Sequence, residues 1–353
     1  MKRLVTVIDL GSNKIAACAA AIDRDGHSSV VALDNLYSRG INGGDITDLN
    51  KAIEDLSSVV KRLERQNKRK IKNVFVTASG IDIETDVSRG MVPLAKTPRE
   101  ITRRDVKKCL DIAKMTRLPM ERTILESVVR GFYIDGGKMG ITNPVGLYGM
   151  KLEVETFIVT TSQSKLQNIA KCIDHAGFLL DGIHLSSIAS ANGVLETEEK
   201  ENGVLLLDIG ETLTETLTFR DNMLKDLRVI KKGASSVLDK NMCVDKSKLD
   251  ALLGGLADAL SGENENFSSV VVTGGGALLD GAIEEAEKIF KVPARIGIVK
   301  KAGRNLNSQD AIIHTSTVGL INSIAKDYKA RQTYGNPIHK AFRKVLDIYE
   351  SYF

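Results

Sequence analysis

Apolar and polar positions along this chain fall into blocks whose period switches between two residues and 3.6 residues. Val5 to Leu10 is a nearly continuous apolar run; a polar turn follows, then a second run from Ile15 to Ala20. Such a pair predicts a hairpin of buried strands. The block continues with a strand near Ser29 to Leu33, an amphipathic helix over about Leu49 to Gln66 and a strand at Asn73 to Ala78. A similar order returns in the second half. It predicts strands at 204–208, 213–219 and 224–230, a helix near 246–260, a strand at Ser269 to Thr273 and a helix from about Leu279 to Phe290. A further helix is expected from Leu185 to Leu195. The segment between the halves, roughly 82–158, carries its own strand, helix and long-strand pattern and reads as an insertion. Two related α/β lobes with an inserted subdomain are the expected architecture.

The repeated hairpins carry candidate chemistry. Each apolar run ends in Asp-aliphatic-Gly: Asp9-Leu10-Gly11 in the first and Asp208-Ile209-Gly210 in the second. Glycine after the carboxylate lets the backbone approach a ligand, and successive turn amides can cradle an anion. Facing each other across a cleft, two such turns suit Mg2+ with a polyphosphate, because the hard cation takes few carboxylates and fills its other positions with water and phosphate oxygens. Gly11, Ser12, Asn13 and Lys14 are the candidates on one side, Asp208 and Gly210 on the other. The run Gly274, Gly275, Gly276 lies where a strand feeds a helix, and its bare backbone could lie against a ring or ribose. No metal site made of protein side chains alone is expected.

Composition narrows the classes. The 353 residues suffice for two domains. Basic and acidic residues number 49 and 45, aromatics are 5% and Trp is absent. An even charge balance without a stacking platform argues against nucleic acid. Cys18, Cys109, Cys172 and Cys243 lie far apart, with no disulfide or zinc pattern, and read as buried thiols in a reducing cytosol. The five histidines are scattered, with no pair at helical spacing. No apolar run approaches the ~20 residues that span a bilayer.

The end of the chain has a pattern of its own. At about 100° per residue, Ile338, Ala341, Phe342, Val345, Leu346, Ile348, Tyr349, Tyr352 and Phe353 share one face, with every charged side chain opposite. His339, Lys340, Arg343 and Lys344 lead the polar face, which suits anionic headgroups. Docking on the protein's own core is the alternative use of such a helix.

Beyond the hairpins, Ser38-Arg39-Gly40 with Gly43-Gly44, Gly90-Met91-Val92-Pro93-Leu94, and Ile141-Thr142-Asn143-Pro144-Val145-Gly146-Leu147-Tyr148-Gly149 resemble the bacterial cell-division FtsA family of the actin-like superfamily. The resemblance runs from Val5 to about Ser323. It implies an actin-like (RNase H-like) two-lobe α/β fold with an inserted 1C (SHS2-like) subdomain and a C-terminal amphipathic membrane-targeting helix. In its terms residues 1–81 open lobe I, 82–158 are the insertion, 159–198 complete lobe I, 199–325 are lobe II, 326–336 a short linker and 337–353 the terminal helix. ATP with Mg2+, filaments by self-association, anionic lipid and the division protein FtsZ are the implied cofactors and partners, at the cytoplasmic face of the inner membrane at the division site.

Two departures stand against the family pattern. The second hairpin usually reads Asp-Ile-Gly-Gly-Gly-Thr-Thr-Asp, whereas here Gly210 is followed by Glu211, Thr212, Leu213, Thr214 and Glu215. Glu215 could replace the missing second Asp. The short span from Gly233 to Val270 implies that the 2B lobe, which in the family closes over nucleotide and receives the FtsZ tail, is largely missing. Weak or absent nucleotide binding is therefore expected. The helix from Leu185 to Leu195 offers only serines and Asn192 where active relatives position water, so at most a slow ATPase is expected, in a binding or structural protein. A sugar-type kinase of the same superfamily and a PilM-like pilus assembly scaffold are the other readings.

Overall fold

The computed structural model describes residues 3–137, 140–260, 267–299 and 306–334. Two five-stranded sheets share one plan. In the first, the spatial order is Leu179–Leu185, Asn73–Ala78, Arg3–Leu10, Lys14–Ile22 and Ser28–Tyr37; in the second it is Ala294–Ile296, Ser269–Thr273, Val204–Ile209, Thr214–Arg220 and Met223–Ile230. Each sheet thus joins an antiparallel three-strand meander to two parallel strands on the other side of the leading strand. The strand Leu179–Leu185 interrupts its apolar positions with Asp181, Gly182 and His184, and its hydrophobic pattern alone does not mark it.

Helices cover the sheets for reasons legible in the chain. Leu49–Asn67 starts at Asp48, whose side chain accepts from the Lys51 amide, and ends where Lys68 turns left-handed. Ala52, Leu56, Val59, Val60 and Leu63 recur at helical spacing and are buried against the first sheet, packing with Ile8, Ile15 and Val74. Lys246–Leu260 does the same for the second sheet through Leu249, Leu252, Leu253 and Leu256. A third apolar cluster lies between the lobes. It joins Val5, Val7, Cys18 and Ala20 of the first sheet to Val204, Leu206 and Leu217 of the second through Ala189, Val194, Val318 and Ile321, on the helices Ser186–Val194 and Thr315–Tyr334.

The insertion is a three-stranded antiparallel sheet, Glu84–Pro93, Lys151–Ser162 and Arg122–Ile134 in spatial order, under the helix Arg103–Ala113. Thr102 and Asp105 close a capping box at the start of that helix. Its small core holds Val92, Ile101, Cys109, Phe132, Leu152 and Val154. The central strand belongs to two cores, because Phe157 and Val159 at its root pack into the interlobe cluster.

Most expected elements appear within a residue or two, with two corrections. The strand Ser269–Thr273 does not feed a helix directly. It enters a 3-10 turn at Gly275–Leu278, and the helix begins only at Ala282, after left-handed Gly281. Among the cysteines, Cys243 is exposed, because it sits in a tight turn outside the core, whereas the other three are buried. Between Gly233 and the helix at Lys246 the chain makes a 3-10 turn and one isolated bridge, Leu238 with Val244.

Candidate functional site

The two Asp-X-Gly hairpins end on one cleft of about 390 Å³. Their tips share a register. In the first, Asp9 is paired with Ala16, the Gly11 amide donates to the Lys14 carbonyl at 3.1 Å, and Ser12-Asn13 form the loop. In the second, Asp208 is paired with Glu215, the Gly210 amide donates to the Leu213 carbonyl at 2.9 Å, and Glu211-Thr212 form the loop. The equivalence extends to the parallel neighbour: Asp9 lies beside Thr77 and Asp208 beside Thr273.

Of the expected residues, Asp9, Gly11, Ser12, Asn13, Lys14, Asp208, Gly210, Gly274 and Gly275 line the cleft. Gly276 faces the core instead, where a Cβ would fall 2.2 Å from Ile209 Cγ2. Gly274 must be glycine twice over. Its φ is +79°, and a Cβ would stand 2.6 Å from Asp208 Oδ1. Ile338, Lys340, Phe342, Arg343, Lys344, Val345, Leu346, Tyr349 and Phe353 lie outside the described residues. Ser186 and Ser190, on the helix already noted for its serines, line the cleft with Thr315 and Ser316, and Thr77 reaches it through Asp9; no spacing or motif distinguishes Thr77, Thr315 and Ser316 from ordinary serines and threonines.

The electrostatics of the floor are unusual. Asp9 Oδ1 accepts from Thr77 Oγ1 at 2.7 Å and from Ser186 Oγ at 3.5 Å. Burial nevertheless holds the Asp9 carboxyl above its ordinary range. Asp208 is pushed up to about 6 by burial and by Asp9. Glu215, only 4% exposed, is pushed up to about 8 by burial and by Asp208. The Ser79 and Ser187 hydroxyls approach the Glu215 carboxyl, yet Glu215 Oε1, Ser79 Oγ and Ser187 Oγ are all buried without a completed hydrogen bond. Lys14 is the cation among them. It is brought down to about 8 by burial, opposed by Asp9, Asp310 and Asp208, and its Nζ donates to the Ile313 carbonyl at 2.7 Å. His314, 1% exposed, is held down to about 3 by burial and by Lys14, so it stays neutral.

At the mouth the hairpin tips touch. Ser12 Oγ and Thr212 Oγ1 are 2.9 Å apart, and Asn13 Nδ2 donates to Glu211 Oε2 at 3.2 Å. Ser12 Oγ also accepts from the Gly43 amide at 3.0 Å. Leu238 and Met242, from the segment between Gly233 and Lys246, line the cleft together with Leu279. Asn192 points elsewhere, accepting from Lys200 Nζ at 3.5 Å.

The SHS2 domain inserted in FTSA matches residues 80–160. The cell-division protein FtsA of Borreliella burgdorferi is 27% identical over 398 aligned positions, covering 98% of this chain and 95% of that protein. The chain resembles FtsA. The FtsA of Neisseria meningitidis is 24% identical, covering 92% of this chain and 91% of its own length. The first alignment is longer than this chain, so the Borreliella FtsA carries segments with no counterpart here. Among solved structures, the PilM-PilN type IV pilus biogenesis complex superposes with a TM-score of 0.65 at 12% identity, covering 92% of this chain and 98% of the matched one. The ethanolamine utilization protein EutJ from Carboxydothermus hydrogenoformans superposes with 0.53 at 12% identity, covering 91% and 89%. The fold is the actin-like two-lobe fold, with the SHS2 domain inserted in its first lobe.

Proposed function

We propose that this FtsA-like protein is an adaptor of the bacterial division machinery, tethered to the cytoplasmic face of the inner membrane and able to bind a magnesium nucleotide weakly in the cleft between its lobes. The observation that carries this reading is the convergence of two equivalent hairpins, with Asp9, Lys14 and Asp208, on one cleft of an FtsA-like chain.

The residues fit the group. Asp9 and Asp208 offer hard oxygens to the water shell of Mg2+, while Lys14 and the hydroxyls of Ser12 and Thr212 suit phosphate oxygens. Leu238, Met242 and Leu279, with the bare backbone of Gly274 and Gly275, suit an apolar ring such as adenine. Glu211 works against the fit: its charge stands at the mouth, where phosphates would enter. Weak binding follows from that charge and from the shortened 2B region. The same shortening removes the surface on which FtsZ capture is expected, so recruitment and self-association rest on the SHS2 domain in this reading.

Membrane attachment is proposed from sequence pattern alone, through Ile338, Phe342, Val345, Leu346, Tyr349 and Phe353 with Lys340, Arg343 and Lys344. No helix among the described residues is long and apolar enough to cross a membrane. Calorimetric titration of the full chain with Mg-ATP, with Asp9→Ala alongside, tests the cleft. Measurable binding that the substitution abolishes is the expected result, and no heat from the wild-type protein would reduce the function to scaffolding. Sedimentation with anionic liposomes tests the tether, and Phe342→Glu should abolish it.

A further inference from the structure

We infer that Lys200 is a covalent modification site, whose side-chain amine takes the acyl group of a small acyl phosphate. The inference is independent of the nucleotide reading above, because the residue stands outside the cleft, on the helix Thr197–Asn202.

Four elements meet around this amine. Nζ lies 4.9 Å from the centre of the Phe219 ring on Thr214–Arg220, and it donates to Asn192 Oδ1 on Ser186–Val194 at a long 3.5 Å. Lys326, exposed on Thr315–Tyr334, adds a like charge. Glu199, on the same helix as Lys200, is the carboxylate that faces it, and both its oxygens are engaged by Arg295: Nε donates to Oε1 and Nη2 to Oε2, each at 2.7 Å. A lysine kept for its charge alone gains from a carboxylate of its own and loses by a neighbouring ammonium; this one shares the first and has the second. Burial and repulsion from Lys326 outweigh Glu199 and bring the amine down to about 8. Lys200 is only half-buried, so a small reagent can reach it.

The arrangement suits acyl transfer. The free amine attacks the carbonyl carbon of the acyl phosphate, a C–N bond forms as the C–O bond to phosphate breaks, the electron pair leaves on the phosphate oxygen, and the nitrogen gives up a proton to water. Lys326 acts on both partners of this step: its charge favours the neutral amine of Lys200 and draws in the anionic donor. Lys14, also brought down to about 8, stands instead among Asp9, Asp310 and Asp208, which repel such a donor. The amide that forms is uncharged, so acylation removes the repulsion between Lys200 and the helix Thr315–Tyr334.

Incubation of the full chain with acetyl phosphate at about pH 7.5, followed by site-by-site mass spectrometry, gives the rate at each lysine. At that pH an amine titrating near 8 is about one quarter free base, against about 0.1% for an ordinary lysine, and this gain outweighs its lower nucleophilicity. Lys200 should therefore react about tenfold faster than the exposed Lys61, Lys107 and Lys114. Because Lys326 is exposed, Lys326→Met should leave the fold intact, slow Lys200 severalfold and leave the other three lysines unchanged. Reaction of Lys200 no faster than those three overturns the inference, as does a Lys326→Met protein in which Lys200 keeps its rate.

Discussion

Ser12 and Thr212 meet at 2.9 Å across the mouth of the cleft, each from the loop of its own lobe's first hairpin. Beside them Glu211 accepts from Asn13 at 3.2 Å, so the tips are latched where a polyphosphate would pass. Replacing Glu211 by Gly removes a carboxylate and one latch bond. A like charge near 4 Å costs about 1 kcal/mol in a water-like medium. Affinity for Mg-ATP should therefore rise by about fivefold, more at low ionic strength. Unchanged affinity across a salt series would show that Glu211 turns away from the ligand.

Glu215 makes the ligand-free protein sensitive to alkali. The native carboxyl keeps its proton up to about 8, whereas the unfolded chain loses it near its ordinary value of 4.5. Between those values the native state binds more protons, so stability falls as pH rises, with a slope approaching about 1.4 kcal/mol per pH unit for one proton. Asp208, raised to about 6, adds to the same trend over the lower part of the window. His314 acts in the opposite sense, since its native value near 3 lies below its ordinary 6.5. The difference between wild type and Glu215→Gln isolates the first term. In urea unfolding from pH 5 to 8 the variant should gain on wild type as pH rises, and a flat difference curve would refute the burial of a protonated Glu215.

The helices that frame the floor cross at Gly193 and Gly319. A Cβ at Gly319 would lie 2.0 Å from the Ala189 carbonyl oxygen. Gly319→Ala should force the helices apart and cost about 1–3 kcal/mol, the range of overpacked cores. Denaturant unfolding measures it. Because Ser186, Ser190, Thr315 and Ser316 ride on these helices, affinity should weaken in the same variant.

Lys165 ties the first hairpin's surroundings to the root of the SHS2 domain. Its side chain is 7% exposed, and Nζ lies 3.2 Å from Asp45 and 3.0 Å from Asp82. Asp82 also accepts from Thr161 Oγ1 and the Ser162 amide, where the chain returns from the insertion. Lys165→Met should cost about 1.5–3 kcal/mol, the worth of a hydrogen bond to a charged group. Amide exchange should speed up at residues 43–46 and 82–84 ahead of the rest. Uniform exchange across the protein would mean that the lysine serves global packing only.

How far the site could be read in advance depends on how local its causes are. Asp9, Gly11, Asp208 and Gly210 announce themselves because a hairpin tip is built from adjacent residues, and turn chemistry leaves a short signature. Gly276 misled, since a run of glycines does not say which one faces the ligand; the 3-10 turn at Gly275–Leu278 turns it against Ile209. Thr315 and Ser316 gave no signal, because a hydroxyl near a carboxylate is a matter of which helix crosses where.

By itself, the sequence determined the two repeated strand meanders, the helices with their caps, the insertion between them and the pairing of acid with glycine at each tip. All of these follow from periodicity and from interactions within a few residues. Only the tertiary structure decided that the tips latch, that Glu215 is buried beside Asp208 and open to Ser79 and Ser187, and that Lys14 is the cation on that floor. Those facts depend on burial and on long-range contact between lobes, and desolvation has no signature in the order of residues along a chain.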